Sequence, residues 1–355
     1  MSNEFIKSIG VNWMSSSSID HRAEDGIEVY TLQTGSTKAE IVPAIGANCT
    51  RFAIQTEHVQ SSVGEWIDLI APPPSLAVLK QRPSGFGNPI LFPFPNRIRN
   101  GSFSFEGQDY AFDKPDNSPN SIHGLLLDYP FSIQSIDMVN GEKPGVEIIC
   151  SVDSEQSVWI SRQYPFPFLF QVTYTLTEEC LEMSVQIENR GKKRMPMGFG
   201  IHPYFQVLFS PDSTIQTSWI TIPAAQYWEL DAFLPTGRLL DADPEFLTGK
   251  CFKGLQLDDV FTQVIASGAG ASSCRIDDRQ AGVSLLVEAD ANFREWVVYT
   301  PPDRPAICFE PYTCPTDAIN LEARGIPAGL VVLEPVSRQG SSFSASVQFR
   351  VELNG

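Results

Sequence analysis

The stretch FQVTYTLTEECLEMSVQI, residues 170–187, decides the fold because apolar and polar side chains alternate on both sides of a turn at Glu178–Glu179. A period of two places the apolar side chains on one face, so the stretch predicts two antiparallel strands with one buried and one solvated face. The same period recurs in a hairpin with a turn at Gly107 and near the end of the chain. The alternating residues are Phe170, Val172, Tyr174, Leu176, Leu181, Met183, Val185 and Ile187, then Phe103, Phe105, Tyr110 and Phe112, and finally Phe343, Ala345, Val347, Phe349 and Val351.

The composition of the whole chain also favours a fold built from strands and turns. The 355 residues include 27 prolines and 25 glycines, which favour many turns, and 42% are hydrophobic, which allows a large core. No segment has a sustained helical period, although a brief helix fits the residues after Ser75. The sequence therefore predicts an all-β fold, a large antiparallel β-sandwich, with a loose lead-in at residues 1–25 and a single domain over residues 26–355.

The net charge and the cysteine content limit the classes of partner and the cellular compartment that we expect. The formal net charge of -17 disfavours nucleic acid and anionic membranes. The seven cysteines show no metal-binding spacing, and the first residues contain no signal-peptide core. We expect a soluble protein of a reducing compartment, the cytoplasm. No P-loop, G-x-S-x-G or helix-opening G-x-G-x-x-G is present, so a nucleotide or hydride-transfer role has no support.

The stretch PMGFGIHPYF, residues 196–205, contains the first candidate catalytic residue, His202. Gly198 and Gly200 allow backbone geometry that other residues resist, and Pro203 pushes His202 towards an extended conformation. Such flanks suit an imidazole whose proton must point in one direction. They equally suit a buried histidine that only satisfies its own hydrogen bonds.

The other three histidines differ in their surroundings. His123, in NSIHG, lies in a second constrained turn, which makes it a further candidate. His21 and His58 lie in polar stretches typical of the protein surface.

Acidic and basic residues complete the candidate site. Glu310 follows a short apolar run, and partial burial there would raise its pKa towards the range of a useful base; an ordinary ion pair is the alternative. Asn96 and Arg97 follow LFPFP, where a guanidinium could hold ligand oxygens or form a plain loop ion pair. Asp258 precedes a strand and is either a ligand or a turn residue.

Taken together and in this order, these pieces resemble the aldose 1-epimerase, or galactose mutarotase-like, family. The resemblance covers residues 40 to 350, almost the whole chain. It implies a large β-supersandwich with a concave sugar-binding face and no cofactor. The matching pieces are GNPILFPFPNRI (87–98), the hairpin with Gly107, NSIHG (120–124), YPFPFLFQVTYTL (164–176), MGFGIHPYF (197–205), LDDVF (257–261), and FEP followed by DAIN.

The resemblance also implies a reaction, the interconversion of sugar anomers. A base removes the proton of the C1 hydroxyl while an acid protonates the ring oxygen, the ring opens, and closure gives the other anomer. Glu310 matches the family's base, His202 its acid, and His123 a second histidine near the ring oxygen. The residues expected to bind the sugar are Arg97, Asp258 and Asn96.

Departures from the galactose-type pattern leave the substrate open. Leu125 follows Gly124 where those members have a second glycine, and Tyr312 replaces a glutamine. At these positions the chain is more similar to a divergent bacterial branch of the family, which includes hexose-6-phosphate mutarotases. In such an enzyme, Arg97 and Arg99 could contact the phosphate of the substrate. Two further alternatives are a sugar-binding protein without turnover and a glycoside hydrolase or lyase that uses Glu310 and Asp258 as its paired carboxylates.

Overall fold

Strands are the main regular element of the computed structural model, which describes residues 17–55 and 66–353. They form three larger sheets and three two-stranded ones, so the prediction of an all-β fold is confirmed. His58 and residues 1–16 lie outside the described residues. Within those residues, no helix has the length and apolar character needed to cross a membrane.

The largest sheet has nine strands and contains the two strands predicted from residues 170–187. They pair antiparallel with Phe170 opposite Ile187, and burial alternates along the first. The predicted closing strand pairs with the second. In spatial order the sheet consists of β11 (Ser132–Val139), β12 (Gly145–Asp153), β13 (Phe168–Leu176), β14 (Cys180–Asn189), β28 (Ser342–Leu353), β24 (Val283–Ala289), β23 (Ser272–Asp278), β18 (Ser218–Thr221) and β21 (Lys250–Cys251).

The five-stranded sheet corrects one expectation, because residues 18–24 form an edge strand where the composition predicted a loose lead-in. Its polar side chains suit an edge that faces solvent. The strand is held by continuous pairing with its neighbour and by an ion pair of 2.8 Å between Arg22 and Glu40. In order the sheet consists of β1 (Ser18–Glu24), β2 (Ile27–Gln33), β3 (Thr37–Val42), β4 (Asn48–Gln55) and β5 (Trp66–Ile70).

The eight-stranded sheet contains the apolar run before Glu310, which forms a strand buried along its whole length. Two short strands of this sheet come from the stretch 196–205. The sheet consists of β20 (Leu234–Asp241), β19 (Ala224–Asp231), β22 (Asp258–Val264), β25 (Glu295–Tyr299), β26 (Ala306–Tyr312), β16 (Gly200–Ile201) and β6 (Ile90–Leu91), with β17 (Tyr204–Gln206) also paired to β26.

Smaller elements join these sheets. The predicted hairpin is β8 (Ser102–Phe105) with β9 (Gln108–Ala111), and Gly107 lies in its turn at φ 76°. The brief helix expected after Ser75 is α1 (Leu76–Gln81), and the Ser75 hydroxyl caps it. The remaining elements are the pairs β7 (Arg97–Ile98) with β10 (Ser121–Ile122) and β15 (Met195–Met197) with β27 (Val331–Leu333), the helices α2 (Val158–Gln163), α3 (Glu245–Thr248) and α4 (Ala318–Ala323), and 3-10 turns at Arg99–Gly101 and Ser154–Gln156.

One hydrophobic core connects the three larger sheets. Phe349 of the nine-stranded sheet contacts Phe205 of the eight-stranded sheet edge to face, with ring centroids 5.2 Å apart. Phe52 of the five-stranded sheet also contacts the ring of Phe349. Ile307 and Phe309 of β26 also belong to this core. Since successive side chains of a strand point to opposite faces, the alternate residues of β26 point away from it.

Candidate active site

A cavity of about 210 Å³ lies beside β22, β25 and β26. It brings together all six residues that the sequence marked as candidates, although they come from segments far apart in the chain. Their roles stay predictions. The six are Asn96, Arg97, His123, His202, Asp258 and Glu310.

His202 and Glu310 face each other because of the register around β26. Antiparallel pairing sets Gly200 against Tyr312 and Tyr204 against Cys308, which places His202 opposite Glu310. The distance from His202 Nε2 to Glu310 Oε1 is 3.4 Å. Both side chains are almost completely buried, with 8% and 2% of their surface exposed. An imidazole and a carboxyl thus lie in contact at the cavity wall.

The two glycines before His202 act by allowing close approach, and the expectation of unusual backbone geometry was wrong. Neither Gly198 nor Gly200 is among the residues with positive φ. A Cβ at Gly200 would lie 2.4 Å from the ring of Tyr312, and one at Gly198 would lie 2.6 Å from Cys314 Sγ. The segment carrying His202 therefore packs against β26 and the residues after it at a distance that only glycine permits.

His123 is held in a left-handed conformation, with φ at 63°. Its backbone N–H donates to the carbonyl oxygen of Asn96 at 2.7 Å. Its ring meets that of His202 edge to face, with centroids 5.4 Å apart. A non-glycine residue in this region costs about 1–3 kcal/mol and is kept where the surrounding structure requires it. The turn thus holds the second imidazole against the first.

Burial shifts the pKa values of Glu310, His202 and His123 in the direction that favours the neutral form of each side chain. It raises the pKa of Glu310 well above the usual value, with an added contribution from Asp258, while a hydrogen bond from Tyr312 and the charge of Arg97 oppose the rise. It lowers the pKa of His202 to about 3, and the positive charge of Arg304 acts in the same direction. The pKa of His123 is also well below its usual value because of burial.

Several residues around the cluster were missed in the sequence. The ring of Tyr204 stacks on that of His202, with centroids 4.8 Å apart, and lines the cavity. Tyr299 meets His202 edge to face at 6.2 Å. No sequence pattern indicates Tyr299, because its place near the site depends on the pairing of β25 with β26, in which Val297 lies opposite Glu310.

Three polar or charged side chains, those of Asn96, Arg97 and Asp258, also line the cavity. Arg97 donates through Nη1 to Oδ1 of Asn96 at 2.9 Å, and its guanidinium lies 4.7 Å from the ring centre of Phe233. Asp258 lines the same cavity; surrounding protein raises its pKa, and the charge of Arg97 opposes that rise. Arg99 does not line the cavity, since it pairs with Asp317 at 3.5 Å.

A second carboxyl is buried beside a separate cavity of about 460 Å³. Glu295 accepts hydrogen bonds from Trp228 Nε1 at 3.1 Å and from the hydroxyl of Thr262 at 3.2 Å. Burial raises its pKa to about 8. In the described part of the chain no histidine lines this cavity, whereas His123 and His202 line the cavity beside Glu310.

Comparison with known proteins places these features in a family. The family model for Aldose 1-epimerase matches residues 28–349. The uncharacterized protein YihR of Escherichia coli is 28% identical over 240 residues, covering 65% of this chain and 71% of YihR. A crystal structure of a galactose mutarotase-like protein from Clostridium acetobutylicum has a TM-score of 0.84 at 21% identity, covering 95% of this chain and 99% of the other. Galactose 1-epimerase from Lactobacillus acidophilus has a TM-score of 0.70 at 14% identity, covering 96% and 100%. These structural likenesses concern the fold.

Proposed function

Because the chain belongs to the aldose 1-epimerase family, we propose that it is a mutarotase that interconverts the α and β anomers of an aldose. The observation that carries the proposal is the contact of 3.4 Å between His202 and Glu310 beside the cavity. An acid and a base this close can act on two oxygens bonded to the same carbon, which is what opening a sugar ring at C1 requires.

The proposed proton transfers balance without a co-reactant. Glu310 takes the proton of the C1 hydroxyl, and protonated His202 gives its proton to the ring oxygen. The bond from C1 to the ring oxygen breaks as the C1 carbonyl forms. Rotation about C1–C2 then turns the other face of the aldehyde to the ring oxygen, and the reverse transfers close the ring. His123, in contact with His202, would donate a hydrogen bond near the same oxygen.

Burial determines which proton placement the pair favours. In the charged proton placement, Glu310 is ionised and His202 is protonated, and the reaction starts from this state. In the neutral proton placement, Glu310 is protonated and His202 is neutral, and this state accompanies the open-chain sugar. Burial favours the neutral placement, since it raises the pKa of Glu310 and lowers that of His202. The hydrogen bond from Tyr312 and the charge of Arg97 oppose this for Glu310 and bring the two placements closer in free energy.

The cavity favours an uncharged aldose over a sugar phosphate. In the described part of the chain, Arg97 is the one arginine or lysine that lines it, and the acid Asp258 lines it too. The phosphate alternative relied on Arg99 as well, but this side chain pairs with Asp317. Arg97, Asn96 and Asp258 would instead orient sugar hydroxyls.

Anomer exchange measured by NMR over a panel of aldoses and aldose 6-phosphates tests the proposal. We expect faster exchange of at least one unphosphorylated aldose, and a loss of roughly 100-fold or more in His202→Asn. His21→Asn is the matched control, because His21 is exposed on β1. Sugar binding without faster exchange of any aldose would identify a binding protein, and release of reducing ends from an oligosaccharide would identify a hydrolase.

A further inference from the structure

One buried cysteine beside the acid–base pair has no role in the proposed reaction. Cys308 precedes Glu310 by two residues on β26, so both side chains lie on the face that points away from the core. His202 lies opposite Glu310 and is therefore a diagonal neighbour of Cys308. The strand pairing thus places a thiol, an imidazole and a carboxyl side by side.

The possible ligand atoms of these three residues all lie within 4.8 Å of one another, and all three residues are buried. Ligands of a tetrahedral zinc ion are bound at about 2.0–2.3 Å, so neighbouring ligands lie roughly 3.3–3.8 Å apart. The closest pair, His202 Nε2 and Glu310 Oε1, is already at 3.4 Å. Small side-chain rotations would bring the thiol into the same shell.

The chemistry of the set selects the kind of cation. A thiolate and an imidazole favour zinc and similar thiophilic metals over magnesium or calcium, which prefer oxygen ligands. Three protein ligands leave a fourth position free. Since His202 and Glu310 line the cavity while Cys308 is fully buried and does not line it, we expect that position to face the cavity.

We propose that Cys308, His202 and Glu310 form a binding site for a thiophilic divalent cation such as Zn²⁺, and that the cation and the sugar exclude each other. The second part rests on the proposed function, because the cation takes the lone pairs that Glu310 and His202 need for proton transfer. The first part depends only on the three ligands.

Cobalt binding tests the site without any turnover. Titration of the metal-free full-length protein with Co²⁺ should give a thiolate-to-cobalt charge-transfer band, which added Zn²⁺ abolishes. Cys308→Ser and Cys308→Ala should both lose the band and bind Zn²⁺ at least ~10-fold more weakly. Thermal melts of the two variants establish that they fold, and either folded variant suffices for the comparison.

Two other cysteines serve as controls. Cys314 is also buried but lines a different cavity, and Cys251 is a partly exposed thiol. Cys314→Ser and Cys251→Ser should keep the band. A wild-type protein without the band, or a band that persists in both Cys308 variants, would overturn the site. If the band behaves as expected but Zn²⁺ leaves anomer exchange unchanged, the exclusion of sugar is wrong and the metal site stands.

Discussion

Tyr312 donates a hydrogen bond of 2.5 Å to Oε2 of Glu310, and both side chains are fully buried. The two residues lie two positions apart on β26 and share the face that points away from the core. A donor at this place favours the charged carboxylate and opposes the effect of burial on its pKa. Glu310 is thereby kept able to ionise although its side chain is almost completely buried.

Replacing Tyr312 with phenylalanine should therefore raise the pKa of Glu310 further. A hydrogen bond to a charged group contributes about 1.5–3 kcal/mol, so we expect the acidic limb of the pH–rate profile to move up by roughly one to two pH units. Anomer exchange measured across pH provides the test, and circular dichroism checks the fold. A slower enzyme with an unshifted profile would show that the tyrosine acts only through packing.

Gly200→Ala should destabilise the fold and disturb the active site together. The new Cβ would lie 2.4 Å from the ring of Tyr312, and such overpacking costs about 1–3 kcal/mol. Urea denaturation measures the loss in the free energy of unfolding. Gly268→Ala is the matched control, since no atom of the described residues lies within 4 Å of the added carbon and φ is not in the left-handed region. Equal stability of the two variants would contradict the close approach.

Phe233→Ala should weaken substrate binding more than turnover. Phe233 is 53% exposed, sits in a hairpin turn at φ 65°, and lies over the guanidinium of Arg97. Loss of this contact, worth about 0.5–1 kcal/mol, leaves Arg97 less well oriented and should raise KM roughly 2- to 5-fold. Steady-state kinetics separate KM from kcat. A fall in kcat at constant KM would argue against an orienting role for the pair.

Glu295→Gln should change the pH dependence of stability. The folded-state pKa of Glu295, about 8, lies above its usual 4.5, so the folded protein binds the proton more tightly than the unfolded chain. Its contribution is fully present below about pH 4.5 and is lost as pH rises through about 8, with a slope of up to about 1.4 kcal/mol per pH unit. Between pH 5 and pH 8, the wild type should lose more stability in urea denaturation than the variant. Equal losses would contradict the raised pKa.

Much of the fold follows from local pattern. The period of two in residues 170–187 and near the end of the chain gives strands that pair as expected, and Ser75 caps the expected helix. The strand at residues 18–24 was missed because its polar composition hides pairing that depends on a neighbouring strand. The single domain over residues 26–355 and the cytoplasmic location stay predictions.

For the site as well, local sequence patterns predict some residues, while others depend on the register between strands. His202, His123 and Glu310 could be singled out from constrained turns and an apolar run, and the family resemblance grouped them. Sequence could not reveal that Tyr312 contacts Glu310 or that Gly200 makes room for that ring, because both facts depend on which residues face each other across two strands. Tyr299 was missed for the same reason.

The central claim is that Glu310 is the base, and comparison of Glu310→Gln with Glu295→Gln tests it most directly. Both glutamates are buried on neighbouring strands, β26 and β25, but Glu310 contacts His202 beside the smaller cavity, while Glu295 accepts hydrogen bonds from Trp228 and Thr262 beside the larger one. With the aldose that the wild type converts fastest, NMR anomer exchange should fall roughly 100-fold or more in Glu310→Gln and stay near the wild-type rate in Glu295→Gln. Full activity of folded Glu310→Gln would contradict the account.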